Sequence, residues 1–238
     1  GFEIAFHNAT MASSRREETE AAINFINNTF SKPLRLHCNH GQNLENLYWG
    51  PDRYSSVMLR AIYSYMAKRS SQPRYQGDKP GSPYYWADIA AEKLSYMRAF
   101  TFKRLNCSKI PPGRVYINDS RQARPALFNT ADAPDVYAFN RLVNRKSIDR
   151  LIRQQGWAIV STHLGKGFYR DNRLDPEFVD TIEYLSRQSG WFVPASELLD
   201  YIGKSLGVDP LTRFERLRME YSHFADRLGD RLFGKSEY

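Results

Sequence analysis

The chain has 238 residues, 42% of them hydrophobic and 14% aromatic, enough to bury one substantial core and too apolar for disorder throughout. A net charge of +8 invites a nucleic-acid reading, but the cations are dispersed and the stretch from Asp209 onward balances six basic against six acidic residues, so nucleic acid is not an expected partner. No apolar run approaches the roughly 18 residues of a membrane helix. The chain opens at Gly1 without a Met, the pattern of a trimmed or partial chain, and compartment stays open. Cys38 and Cys107 are too few for a disulfide framework and too far apart for a zinc motif, so both are expected to be free thiols.

Gly1 to Phe6 reads as a short strand ending at His7. A helix follows, with Ser13 or Ser14 as cap, Glu17 and Glu18 in its first turn, and Ala22, Phe25, Ile26 and Phe30 as its apolar face. Pro33 to His37 is a second strand, closing in the turn Asn39-His40-Gly41. This strand, helix, strand order predicts parallel pairing through a right-handed crossover.

The next stretch reads differently, with two long helices, Arg53 to Arg69 and Trp86 to Leu105, joined by a polar linker from Ser70 to Pro83. Residues 51–112 are therefore expected to form a helical insertion. A short strand lies around Leu127-Phe128. Ser147 to Gln155 is a helix, Trp157 to Thr162 a strand ending at His163, and Asp175 to Arg187 a helix with Pro176 in its first turn. Trp191 to Val193 is a further strand and Ser196 to Leu206 a helix stopped by Gly207. Leu211 to Leu232 is an amphipathic helix with Phe214, Leu217, Tyr221, Phe224 and Leu228 on its face, suited to capping the sheet or to pairing with a second copy. The domain division is 1–208 for an α/β body and 209–238 for the terminal helix. Alternating strands and helices point to an α/β sheet or barrel.

Three of the five histidines, His7, His40 and His163, follow predicted strands. In parallel α/β folds the strand C-termini share one rim, where ligands bind, so these three should converge in a metal or catalytic site. His37 is assigned to packing, and His223, on the last helix, to structure. Thr162-His163-Leu-Gly165-Lys-Gly167 gives the late histidine a glycine-bearing loop with room for a ligand. Asn39, Gly41 and Gly165 are candidate substrate contacts. Trp49, in Tyr48-Trp49-Gly50, and the segment Tyr84-Tyr85-Trp86 offer rings either for stacking on sugars or for packing. Asp132 is a candidate carboxylate, with helix capping the plainer role for it and Asp135.

Gly1-Phe-Glu-Ile-Ala-Phe-His7 resembles the strand before the metal-binding histidine of the polysaccharide deacetylases, carbohydrate esterases with a distorted, incomplete α/β barrel. Trp157 to His163 resembles the late strand of that family with its catalytic histidine, and Phe178 to Ile202 is similar to its closing helix, strand and helix. The resemblance implies a divalent metal, usually zinc, with His7 as its first histidine ligand and His163 as general acid. It also implies metal-dependent removal of acetyl groups from an N-acetylated sugar. The second metal histidine falls at Met11, a poor ligand for such an ion, and the aspartates of the family's early strand fall before Gly1. His40 is the candidate replacement ligand. The alternative is a carbohydrate-binding or scaffold protein that keeps the fold without catalysis.

Overall fold

A computed structural model describes residues 2–67, 75–118 and 125–232, leaving aside the side chains of 66–67 and 229–232. The fold is mixed α/β. Near the N-terminus the chain forms helix α1 (Arg16–Phe30) and strand β1 (Leu36–His37), with Phe6 joined to His37 by one parallel bridge. Helix α1 is capped by the Glu18 carboxylate, which accepts the Arg15 amide at 2.6 Å, while the Ser13 and Ser14 hydroxyls bond to Leu44 and Thr10. Its core-facing residues are Thr19 and Ile23, flanked by Ala22 and Ile26, whereas Phe25 and Phe30 are exposed. The predicted face was displaced because α1 rests on the sheet along a narrower stripe than its apolar residues span.

The largest departure lies between residues 51 and 112. Helices α2 (Val57–Ala67) and α3 (Ala87–Lys93) are present, but Tyr96–Phe102 is strand β2, where a helix was expected. Its aromatic and β-branched residues suit a pleated sheet, and the i, i+3 spacing of Trp86, Ile89, Met97 and Phe100 spans the α3-to-β2 boundary. Far from being a purely helical insertion, this segment supplies an inner strand of the sheet. Part of the 53–69 helix and of the Ser70–Pro83 linker lies outside the described residues.

Beyond it come β3 (Tyr116–Ile117), β4 (Ala126–Asp132), α4 (Val136–Leu142), α5 (Arg145–Arg153) and β5 (Val160–Ser161). A small antiparallel ribbon, β6 (Tyr169–Arg170) and β7 (Arg173–Leu174), precedes α6 (Pro176–Ser186) and α7 (Ala195–Leu206). The chain closes with β8 (Asp209–Pro210) and α8 (Arg213–Leu232). Trp191 to Val193 joins no ladder, and its Trp191 and Phe192 are exposed. Among the described residues the main sheet runs β1, β2, β4, β3, β8, with β5 also on β4. β1, β2, β4 and β5 are parallel; β3 pairs antiparallel with β4, and β8 lies parallel to β3.

Two residues of β2, Ala99 and Phe100, oppose the single Asn129 of β4, which makes a bulge. The Phe100 N–H thereby leaves the ladder and donates to Asn129 Oδ1 at 3.1 Å. The Tyr116 hydroxyl donates to the same oxygen, and Asn129 Nδ2 donates to Pro111 O. A polar residue within an apolar strand is thus spent on backbone that would otherwise be buried without a partner.

Helix α8 docks on this side through buried polar groups. Glu220 accepts the amides of Ser55 and Ser56 at 2.7 and 3.1 Å, just ahead of α2. His223 meets the Tyr54 hydroxyl at 2.7 Å between the rings of Phe100 and Phe102. Of the apolar face expected to cap the sheet or pair with a second copy, Phe224 packs on the core while Phe214, Tyr221 and Leu228 are exposed.

Candidate functional site

Because β1, β2, β4 and β5 run parallel, their C-terminal ends open on one rim, and the chain just after β1, after β5 and after the parallel Phe6 bridge carries the imidazoles. His7 follows the Phe6 bridge, His40 follows β1, and His163 follows β5. The rings of His7 and His40 meet edge to face, their centroids 4.8 Å apart. His7 opens to solvent on one side, while the protein packed on the other lowers its pKa below the usual 6.5, with the nearby charges of His40, Arg98 and His163 adding to the effect. His40, His163 and Arg98 therefore each lie within electrostatic reach of His7.

Each imidazole is anchored through Nδ1. His7 Nδ1 lies 2.8 Å from Cys38 O and His163 Nδ1 lies 3.2 Å from Pro134 O; a carbonyl only accepts, so each Nδ1 carries the proton. His40 Nδ1 is 3.4 Å from Asn43 Oδ1. The Asn43 amide nitrogen faces Thr10 O, Ala12 O and Glu45 Oε1, which fixes its oxygen toward His40. All three rings thus keep an Nε2 lone pair for a ligand.

A buried polar scaffold holds the His40 loop. Asn8, with φ of 61°, donates to Glu45 Oε1 and Asn46 Oδ1, and Asn46 donates to His40 O and Gly41 O. His37 is fully buried beneath, its Nδ1 3.1 Å from Phe6 O and its Nε2 3.0 Å from Asn39 Oδ1.

The remaining candidates divide. Gly41 and Gly165 are exposed in open loops beside His40 and His163. Asn39 is buried and committed to His37 and Leu47, so it is a positioning residue, not a substrate contact. Trp49 is half-buried with the Arg53 guanidinium 4.6 Å over its ring, which covers the surface a sugar would use. Trp86 is buried, donating from Nε1 to Glu45 O. Asp132 is held by Arg227 at 2.8 Å and by the Thr101 hydroxyl, which ties β4 to α8; Asp135 caps α4 through the Ala138 amide.

Sequence reasoning missed Arg98. It projects from β2 beside the bulge, donates from Nη1 to Ser161 Oγ, and keeps a buried Nε with no partner among the described residues. The signal was a cation inside the run Tyr-Met-Arg-Ala-Phe-Thr-Phe, where a guanidinium has no place unless the strand end faces a polar site.

The zinc implied by the resemblance does not fit these residues. Among the described residues, no three His, Cys, Asp or Glu side chains are grouped to hold a metal ion. The His7 and His40 pair has Arg98, a cation, as its neighbour, and Met11 is exposed. Among the described residues no helix is long and apolar enough to cross a membrane. No known protein family, curated protein or solved structure matches the chain in sequence or fold comparison.

Proposed function

We propose that this chain is a carbohydrate-directed protein of the polysaccharide deacetylase type, with an incomplete barrel, in which the rim carrying His7, His40 and His163 receives an N-acetylated sugar and His163 serves as proton donor to the leaving nitrogen. The observation that carries the reading is the shared anchoring of His7, His40 and His163, each held through Nδ1 on an oxygen with Nε2 left for a ligand. Such lone pairs accept hydrogen bonds from sugar hydroxyls and amides, and Arg98 adds a donor for a carbonyl oxygen. With Nδ1 fixed on Pro134 O, proton exchange at His163 runs through Nε2 alone, which gives a general acid a defined direction.

A second reading, sugar binding without hydrolysis, is favoured by one observation: no grouping among the described residues holds a metal to activate water. The two separate in one experiment. The protein is titrated calorimetrically with an N-acetylated chitooligosaccharide, and acetate release is measured alongside. Binding with acetate release supports the hydrolase, and binding without release supports the sugar-binding protein. Absence of binding to the oligosaccharide overturns both.

A further inference from the structure

We propose that a cavity, sharing no residue with the histidine rim, binds a compact small molecule carrying several phosphate charges. The cavity measures about 610 Å³ and lies between α5 and the segment that follows β2. Lys103, Arg104 and Lys109 line it from that segment, and Arg141, Lys146 and Arg150 from α4 and α5. All six cations are exposed, and no Asp or Glu contributes to the wall.

The charge is not offset nearby. Arg104, Lys109, Arg141, Lys146 and Arg150 enter none of the ion pairs found among the described residues. Asp149, on α5, is turned to the Tyr184 hydroxyl, and Asp226 accepts the Lys103 amide at the edge of the cavity. Arg104 is held in place by donating to Lys109 O at 2.9 Å, which leaves its remaining donors unbound among the described residues. The start of α5 is not what makes the site, because Asn144 already caps it through the Ser147 amide. The like charges of Arg104, Lys109, Arg141, Lys146 and Arg150 around one hollow repel each other, and an anion bearing several charges relieves that repulsion.

Size and chemistry narrow the ligand. A volume of about 610 Å³ suits a small molecule, whereas an acidic polysaccharide with one charge per sugar, or a nucleic acid, needs an extended track. Guanidinium forks match phosphate oxygens two at a time, and this wall offers three arginines. Leu105, Leu142 and Leu151 add an apolar surface for the uncharged body of a phosphate ester.

Inorganic triphosphate is the probe, titrated into the full chain at low salt and again at about 150 mM salt, where screening weakens exposed charge pairs. The expected result is one triphosphate per chain, weakening as salt rises. Affinity should fall at least about tenfold in Arg141→Gln/Arg150→Gln and in Lys109→Gln/Lys146→Gln, with thermal melts unchanged. His163→Ala should bind triphosphate as the parent does, which keeps this site separate from the histidine rim. No heat at about 1 mM triphosphate, or an affinity unchanged from the parent in both double variants, overturns the proposal. So does displacement of triphosphate by a lower concentration of single-stranded DNA or of a polyuronate, which would assign this face to a polymer.

Discussion

His37 sits under opposing influences. Both of its ring nitrogens face oxygens, at 3.1 Å to Phe6 and 3.0 Å to Asn39, so a second proton would complete a second hydrogen bond. Burial outweighs that gain and pushes the pKa down to about 4 from 6.5. His223 is lowered in the same way by burial, with Arg53 and Arg227 adding to it. A folded pKa below the unfolded one means the unfolded chain binds more protons between the two values, so stability must fall as pH drops from about 6.5 toward 4. For His37 alone the loss approaches roughly 3 kcal/mol. Denaturant melts at pH 7 and pH 5 should show a clear drop, and equal stability would contradict the burial argument. His163 is the opposite kind of histidine, exposed and bonded only through Nδ1. Its replacement by Ala should leave the melt unchanged and lower acetate release roughly 100-fold, if hydrolysis is the activity. Gly167 is more exacting: with φ at 83° an added Cβ would lie 2.9 Å from Val136 Cγ1. Gly167→Ala should cost about 1–3 kcal/mol, read from chemical denaturation.

At the level of elements, the α8 contact uses only part of the apolar face read from the sequence. Phe224 packs on the core, yet the groups that anchor the helix are Met219, Glu220, His223 and Arg227, turned to where Tyr54, Ser55, Ser56, Thr101 and Asp132 offer hydrogen-bond partners, while Phe214, Tyr221 and Leu228 face outward. A buried carboxylate on two amides is invisible to an apolar count. Glu220→Ala should leave the amides of Ser55 and Ser56 unpaired and cost roughly 1–3 kcal/mol each, the usual range for a buried donor without a partner. Equal midpoints for variant and parent in a urea titration would refute that. The outward Phe214, Tyr221 and Leu228, seven residues apart, keep pairing of two copies through α8 as a proposal, which sedimentation velocity at increasing concentration would test. α6 and α7 were legible because Asp175 and Gly207 sit at their ends, whereas α5 was read from Ser147 and in fact starts at Arg145, behind its Asn144 cap. β2 was not, since the apolar spacing of α3 ran on into it and neither Gly nor Pro marks the junction at Leu94-Ser95.

For the whole molecule, the histidine rim was visible in the sequence because strand-terminal position can be read locally. Arg98 and the scaffold around His40 could not be read that way, because Arg98 bonds to Ser161, Asn8 to Glu45 and Asn46, and Asn43 to Thr10 and Ala12, all distant in the chain. The sheet that assembles these parts is held at its middle by one amide side chain, and this affects how its backbone should exchange with solvent. In a regular ladder the Phe100 amide would be protected by the strand beside it. Here its protection depends on Asn129, a side chain that can be removed without deleting a strand. Asn129→Ala should therefore speed deuterium uptake at Phe100 far more than at Met97 or Thr101, whose residues remain in register with β4. If all three amides accelerate together, the two strands open as a unit and the bulge has no local breathing motion of its own.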